Sequence, residues 1–122
     1  MILSSNSKLK IYAYNDEQSN EIEDFIYNLP KEESYRILIV LKKIAKEGSK
    51  ILALNRLPYE TKKIQNNLFE IKIDSNRLMY CYIDHNGVCI LSAFKKDSQK
   101  TRKKEVDKAV QRLNQVLNHS SE

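Results

Sequence analysis

The chain has 122 residues, of which 21 are Lys or Arg and 16 are Asp or Glu, so its formal net charge is +5. A chain of this length buries one modest core, which predicts a single domain over residues 1–122 with flexible tails at 1–8 and 118–122. No apolar run is long enough to cross a bilayer, and the apolar part of MILSSNSKLK is too short for a signal peptide. We therefore expect a soluble cytoplasmic protein with no membrane partner.

Cysteine spacing and charge distribution further limit the class of protein to which the chain can belong. Cys81 and Cys89 lie in predicted strands and lack the CxxC spacing of a metal or redox site, which predicts buried thiols. Residues 1–55 hold eight basic and eight acidic side chains, whereas residues 56–112 hold 13 basic and seven acidic ones. A positive field attracts polyanions and is typical of nucleic-acid-binding proteins, although basic proteins without that function are common.

The first half of the chain predicts a strand followed by a helical hairpin. In KLKIYAY (8–14), apolar and polar residues alternate with the period of a strand that has one buried face. Asn15 or Asp16 then caps a helix that ends at Pro30, and a second helix follows over 32–47. Apolar residues recur at helical spacing in both: Ile22, Phe25, Ile26 and Leu29, then Tyr35, Leu38, Ile39, Leu41, Ile44 and Ala45.

The second half predicts a loop, three strands and a final helix. Residues 49–67 are irregular and predict a loop with one short helical turn. Strand patterns then return in LFEIKI, RLMYCYI and VCILSAF, and the last helix is predicted over 102–117. The expected order is βααβββα, an α+β fold in which the helical hairpin packs on a small, twisted, mainly antiparallel sheet of about four strands.

The connection between the last two predicted strands favours a tight hairpin. Asn86-Gly87 is the preferred pair for a two-residue turn. This turn would place Tyr82 opposite Leu91 and Cys81 opposite Ser92. Both strands are apolar on both faces, which predicts a central position in a sheet that is covered on both sides.

The second half also resembles a known family. LFEIKI, RLMYCYI and then ILSAFKKDSQKTRKKEVDKA are similar to the carboxy-terminal half of the RelE/HigB-like toxins of bacterial type II toxin-antitoxin systems, especially the phage-associated HigB branch. The resemblance covers about residues 57–112, and FKKDSQKT is its most specific part. Two residues depart from the pattern: Lys72 stands where Arg is frequent, and Arg102 stands where Pro often follows KT. Lys72 keeps the charge but loses bidentate phosphate geometry.

The resemblance implies a ribosome-dependent endoribonuclease that cleaves mRNA without a metal or other cofactor. Such cleavage needs a base for the ribose 2′-hydroxyl, charge stabilisation for the phosphorane and an acid for the 5′-oxygen. His85, in the predicted hairpin turn, and His119, in the tail, are expected to be incidental surface residues. A lysine can replace the histidine base where cationic neighbours or desolvation lower its pKa. No cluster of Asp, Glu and His has the spacing of metal ligands.

Four cations are the expected catalytic residues: Lys72, Arg77, Lys95 and Lys96. A four-residue loop over 73–76 would pair Lys72 with Arg77 on one face of the sheet, whereas a three-residue loop would place them on opposite faces. Of the adjacent Lys95 and Lys96, one should point towards Arg77, because successive strand residues face opposite ways.

The expected roles follow from these positions. We assign phosphorane stabilisation to Arg77 and Lys96, and the acid or base role to Lys72 or Lys95. Three further lysines, expected in loops, would hold the RNA backbone: Lys62, Lys63 and Lys100. Without the resemblance, ordinary loop cations would be the favoured interpretation of Lys62 and Lys63 over RNA contact.

The resemblance also implies partners and leaves other functions open. A toxin needs an inhibitor, so we expect a cognate antitoxin, often of helix-turn-helix type, in a hetero-oligomer, together with the ribosome and mRNA. The antitoxin is expected to cover the basic surface of residues 62–100 or to displace the last helix. The alternatives are a ParE-like DNA gyrase poison of the same fold and a non-enzymatic basic nucleic-acid-binding module.

Overall fold

A computed structural model describes residues 2–5, 10–15, 19–47, 59–84 and 87–120. Within these ranges the chain forms six strands and three helices. The strands are β1 (Ile2–Ser5), β2 (Lys10–Ala13), β3 (Tyr59–Gln65), β4 (Leu68–Ile73), β5 (Asn76–Asp84) and β6 (Gly87–Lys95). The helices are α1 (Glu21–Tyr27), α2 (Lys31–Glu47) and α3 (Gln99–Ser120).

The described strands form one sheet in the order β1-β2-β6-β5-β4-β3. All neighbours are antiparallel except β2 and β6, which are parallel. The predicted α+β class and mainly antiparallel sheet are therefore confirmed, but the sheet has six strands rather than about four. The observed order is ββααββββα.

Helices cover both faces of the sheet and create two cores. On one face, α1 and α2 pack apolar residues such as Ile26 and Ile37 against Ile71 and Leu78. On the other face, α3 packs Ala109 and Leu113 against a separate set of side chains: Leu68, Met79, Cys81, Cys89, Leu91 and Phe94. The central position predicted for β5 and β6 is confirmed, since both strands lie inside the sheet and most of their residues are buried.

Two strands lie where the sequence predicted none. Residues 1–8 were expected to be a tail, but Ile2–Ser5 pair with β2. The predicted loop over 49–67 contains β3, while residues 49–58 lie outside the described part of the chain. β3 has a weak sequence signal because YETKKIQ is an edge strand, and edge strands carry charged residues that discourage pairing with other chains. Asn67, with φ 55, makes the left-handed turn into β4.

The boundaries of the first helix also differ from the predicted ones. α1 begins at Glu21 with Asn20 as its N-cap, several residues after the predicted cap. The reason is that the chain stays extended through Tyr14, whose backbone N–H donates to the carbonyl of Ile90 at 2.8 Å. Asn15 instead donates a side-chain hydrogen bond to Asn20 at 3.3 Å, and Asp16 lies outside the described residues.

The last helix is longer than expected at both ends. α3 spans Gln99–Ser120 rather than 102–117, so it includes part of the predicted tail. Its N-cap is Ser98, whose Oγ accepts a hydrogen bond from the backbone N–H of Thr101 at 3.1 Å. None of the described helices has the length and apolar character needed to cross a bilayer.

The predicted register of the β5–β6 hairpin is wrong. Tyr82 pairs with Val88 rather than Leu91, and Cys81 pairs with Cys89 rather than Ser92. The cause is that Gly87 opens β6 opposite Asp84 instead of lying in the turn, and that the register shifts between Tyr82 and Asp84. The predicted turn position of His85 lies outside the described residues, as does the side chain of His119.

Candidate active site

A pocket of about 320 Å³ opens on the α3 face of the sheet, where β4, β5 and β6 meet the start of α3. Five of its lining residues are cations: Lys62, Lys72, Arg77, Lys96 and Arg102. The others are Glu70, Phe94, Asp97, Ser98 and Gln99. With five cations against two carboxylates, the pocket attracts an anion.

Strand pairing brings these cations together. Lys72 pairs directly with Arg77 across the β4–β5 hairpin, which is the register that places both on one face. Only Asp74 and Ser75 lie between the paired residues Ile73 and Asn76, so the loop is shorter than predicted although the register is the expected one. Asp74 accommodates this tight turn with a left-handed φ of 58.

Arg77 is held in a fixed orientation. The residue is only 8% exposed, and its Nη1 donates to the carbonyl of Asp74 at 2.9 Å and to that of Asn76 at 3.0 Å. A planar guanidinium fixed on one side by two carbonyls has its remaining N–H groups in defined directions. This geometry suits a donor that must be preorganised for a developing negative charge.

Lys95 and Lys96 separate at the end of β6. Lys96 lines the pocket, and its backbone N–H donates to the carbonyl of Ser75 at 2.8 Å. Lys95 lies on the opposite face, where its Nζ forms an ion pair with Glu33 of α2 at 2.6 Å. The structure therefore brings together Lys72, Arg77 and Lys96, and it does not bring Lys95 to them.

The N-terminus of α3 forms one wall of the pocket. The first turn of this helix contains no acidic residue, so the helix dipole adds positive potential beside the cations. Asp97, just before the helix, is exposed and lines the same pocket. A hydrogen bond from Thr101 and, more weakly, interactions with Ser98 hold the pKa of Asp97 below its ordinary value, so this carboxylate is ionised at neutral pH.

Residues 24–114 match the family described as Phage derived protein Gp49-like (DUF891), a stretch that exceeds half of the chain and contains all the pocket-lining residues. The chain belongs to the Gp49-like family. This family is of the RelE/HigB-like toxin type and is associated with toxins of toxin-antitoxin systems. Among curated proteins, none matches the chain at a significant level. Assignment to the phage-associated HigB branch stays a prediction.

The three lysines expected to hold RNA occupy different places in this Gp49-like chain. Lys62 lies in β3 opposite Glu70 and lines the pocket. Lys63, the next residue, is exposed and pairs with Phe69 on the other face of the sheet. Lys100 is exposed in the first turn of α3, outside the pocket lining. None of the three lies in a loop.

Sequence reasoning missed two residues of the Gp49-like pocket that form an ion pair. Arg102 donates from Nη1 to Oε2 of Glu70, and Glu70 is only 1% exposed. The alternation of LFEIKI already places Glu70 on the same face as Lys72. In the sequence, Arg102 is distinguished only as a departure from the family pattern, because nothing local shows that α3 docks over β4.

Proposed function

We propose that this Gp49-like chain is a ribosome-dependent endoribonuclease that cleaves mRNA by a metal-independent reaction. The observation that carries the proposal is the pocket in which Lys72, Arg77 and Lys96 meet the N-terminus of α3. Four positive groups around one concave site are suited to a phosphodiester that gains negative charge during reaction.

The proposed reaction is attack by a ribose 2′-hydroxyl on the adjacent phosphorus. The new O–P bond forms as the 2′-proton passes to a base, and the bond to the 5′-oxygen breaks as that oxygen receives a proton. The products are a 2′,3′-cyclic phosphate and a free 5′-hydroxyl, and no co-reactant is consumed. The pocket must therefore supply a proton acceptor, a proton donor and charge stabilisation.

Arg77 and Lys96 are the proposed stabilisers of the phosphorane. Arg77 is immobilised by two backbone carbonyls, so its donors are placed before the substrate arrives. The backbone of Lys96 is fixed by its N–H, and its exposed side chain lines the pocket. Removing one preorganised donor typically lowers the rate by about 10²- to 10³-fold.

Lys72 and Asp97 are the proposed acid and base. Lys72 is half-buried beside Arg77, and its Nζ lies 4.0 Å from the exposed Glu60 carboxylate, a contact too weak to immobilise it. As an ammonium it can protonate the departing 5′-oxygen. Of the two pocket carboxylates, Glu70 is buried against Arg102, whereas Asp97 is exposed and is the one placed to accept the 2′-proton. Lys95 has no role at the reacting atoms in this assignment, because it lies on the other face.

The RNA backbone is proposed to run from the pocket along the cations around it. Lys62 contacts phosphate at the rim, and Lys100 extends the track at the start of α3. Lys63 points away and contributes only to the general field. Because mRNA on the ribosome is the proposed substrate, the proposed place of action is the cytoplasm.

A cognate antitoxin is the proposed partner. The positive pocket predicts that acidic side chains of the antitoxin cover it, so that inhibition and RNA binding exclude each other. An antitoxin of this kind is expected to be encoded beside its toxin. Co-purification of this chain with the product of that neighbouring gene should give a complex that no longer binds RNA. If the chain accumulates to a high level in growing cells without its partner, the toxin assignment loses its support.

Induced expression in a bacterium, followed by 5′-end mapping of transcripts, tests the proposed activity. We expect growth arrest together with new 5′ ends inside translated reading frames. Arrest with intact transcripts and damaged DNA would contradict the proposal and favour a ParE-like gyrase poison. Binding of RNA without arrest or cleavage would favour a simple binding module.

A further inference from the structure

The turn between β4 and β5 contacts the pocket through its backbone. The carbonyls of Asp74 and Asn76 accept the two hydrogen bonds from Nη1 of Arg77, at 2.9 and 3.0 Å. The carbonyl of Ser75, between them, accepts the N–H of Lys96 at 2.8 Å. The two turn residues and Asn76, the first residue of β5, thus each support one of the two cations assigned to the phosphorane.

The side chains of the same turn are held from the opposite face of the sheet. Nε of Arg36 in α2 lies 2.6 Å from Oδ2 of Asp74. Oε1 of Glu33, also in α2, accepts a hydrogen bond from Nδ2 of Asn76 at 3.2 Å and one from Nζ of Lys95 at 2.6 Å. Side chains of α2 therefore contact the β4–β5 connection on the sheet face opposite the pocket.

Asn76 is the most constrained link. The residue is 0% exposed, and within the described part of the chain its Oδ1 has no hydrogen-bond partner. The bond to Glu33 is thus the contact that orients this buried amide. A tilt of the Asn76 peptide would move a carbonyl that holds Arg77.

We propose that Glu33 and Arg36 are positioning residues that fix Arg77 and Lys96 through the β4–β5 turn. Neither residue lines the pocket; both contact the turn region, and Glu33 also contacts Lys95, the residue before Lys96. The inference rests on the proposed function for the roles of the two cations, but the contacts that carry it are independent of the reaction. The inference also assigns a role to Lys95, which pairs with the Glu33 carboxylate and so helps to keep that carboxylate beside Asn76.

Glu33→Ala is the variant that tests the relay, and Glu32→Ala is its matched control. Both remove an acidic residue from the first turn of α2, so both lose the same favourable interaction with the helix dipole. Glu32 is exposed and does not line the pocket. Glu33→Gln keeps an oxygen that can accept from Asn76 and serves as the conservative rescue.

Two measurements distinguish positioning from a general structural role. The first is kcat and KM for cleavage of ribosome-bound mRNA, where misplacing a catalytic group by about 1 Å can cost about 10²-fold in rate. We expect Glu33→Ala to lower kcat by about 10-fold or more with little change in KM, while Glu33→Gln and Glu32→Ala stay within about threefold. The second is the NMR order parameter of the Arg77 side-chain Nε–H group. Its signal is assigned as the one that disappears in Arg77→Ala. We expect this order parameter to fall in Glu33→Ala alone.

The outcomes separate this inference from the proposed function. If Arg77→Ala abolishes cleavage but Glu33→Ala matches Glu32→Ala in kcat and in Arg77 order, the positioning role is wrong and the nuclease assignment stands. If Arg77→Ala cleaves like the unmodified chain, the proposed function fails, and the NMR order of Arg77 still decides the positioning claim. Equal thermal stability of the two glutamate variants, checked first, excludes unfolding as the cause.

Discussion

Arg102 in α3 forms an ion pair with Glu70 in β4, a residue that is only 1% exposed. The pair ties the start of the last helix to the floor of the pocket. It also leaves one pocket carboxylate accessible to a bound substrate, because Glu70 is buried and paired with Arg102 while Asp97 is exposed. The same contact therefore contributes both to stability and to the chemistry of the pocket.

We expect Arg102→Ala to destabilise the protein, because it leaves the Glu70 carboxylate buried without its cation. An unsatisfied buried group typically costs about 1–3 kcal/mol, and the Arg102 side chain is 31% exposed, so solvent screening favours the lower half of that range. Urea unfolding measures the loss. Lys103→Ala, at the next and exposed position, should change the free energy of unfolding by less than about 0.5 kcal/mol. Equal stability of the two variants would show that the ion pair contributes nothing.

The adjacent residues Lys62 and Lys63 predict a contrast in RNA binding. Lys62 lines the pocket and Lys63 projects from the other face, so Lys62→Ala should weaken binding of single-stranded RNA more than Lys63→Ala. Loss of one phosphate contact should lower the slope of log K against log salt by about 0.7. Titrations at several salt concentrations measure it. The same slope for both variants would mean that the RNA does not follow the pocket.

A link between α1 and α3 predicts a pH dependence of stability. Arg112 contacts the Glu21 carboxylate at 2.7 Å and Lys108 contacts it at 3.3 Å. Burial raises the pKa of Glu21, but the hydrogen bond and charge of Arg112, followed by Lys108, outweigh it, so the pKa lies below the ordinary 4.5. The carboxylate is therefore protonated more readily in the unfolded chain, and its stabilising effect is present above pH 4.5 and is lost as the pH falls below that value.

The test compares Glu21→Gln with the unmodified chain by thermal unfolding across this pH range. The difference in Tm should be largest near neutral pH and should shrink in acid. Asp24→Asn is the control, since Asp24 is an exposed acid in the same first turn of α1. A Tm difference for Glu21→Gln that stays constant with pH would contradict the ion-pair account.

The two cysteines should be unreactive in the folded protein. Burial raises the pKa of Cys81 to about 11 and that of Cys89 to about 12, from an ordinary 9.0. At about pH 8 this leaves Cys81 with about 100-fold less thiolate than an exposed cysteine, and thiolate is the reactive form. Labelling with a thiol reagent should be slow in buffer and reach both thiols in guanidinium. Rapid labelling of the native protein would show that this core opens.

Parts of this structure could be predicted because local pattern determines them. The continuous apolar runs of β5 and β6 indicated central strands, and the helical spacing of α1 and α2 indicated the hairpin. The pairing of Lys72 with Arg77 depended on a loop length for which the sequence left two choices. Strand β3 could not be predicted, since its alternation is masked by the charges of an edge strand.

The site was harder to predict because it depends on tertiary packing. Alternation requires Lys95 and Lys96 to face opposite ways, but only the packed sheet shows that Lys96 faces Arg77. Arg102 and Glu70 meet because α3 folds back over β4, and no sequence period encodes that contact. The contacts of Glu33 with Asn76 and Lys95 likewise join residues that are distant in the chain.

The most direct test of the account is the rate of mRNA cleavage by purified variants on programmed ribosomes. We expect Arg77→Ala and Lys96→Ala, shown to be folded, to cleave about 10²- to 10³-fold more slowly, because each removes a cation that we propose stabilises the phosphorane. Lys103→Ala removes an equal charge from the exposed face of α3 and should cleave at the unmodified rate. If the Arg77 and Lys96 variants cleave as fast as Lys103→Ala, the pocket is not the nuclease site and the central claim is wrong.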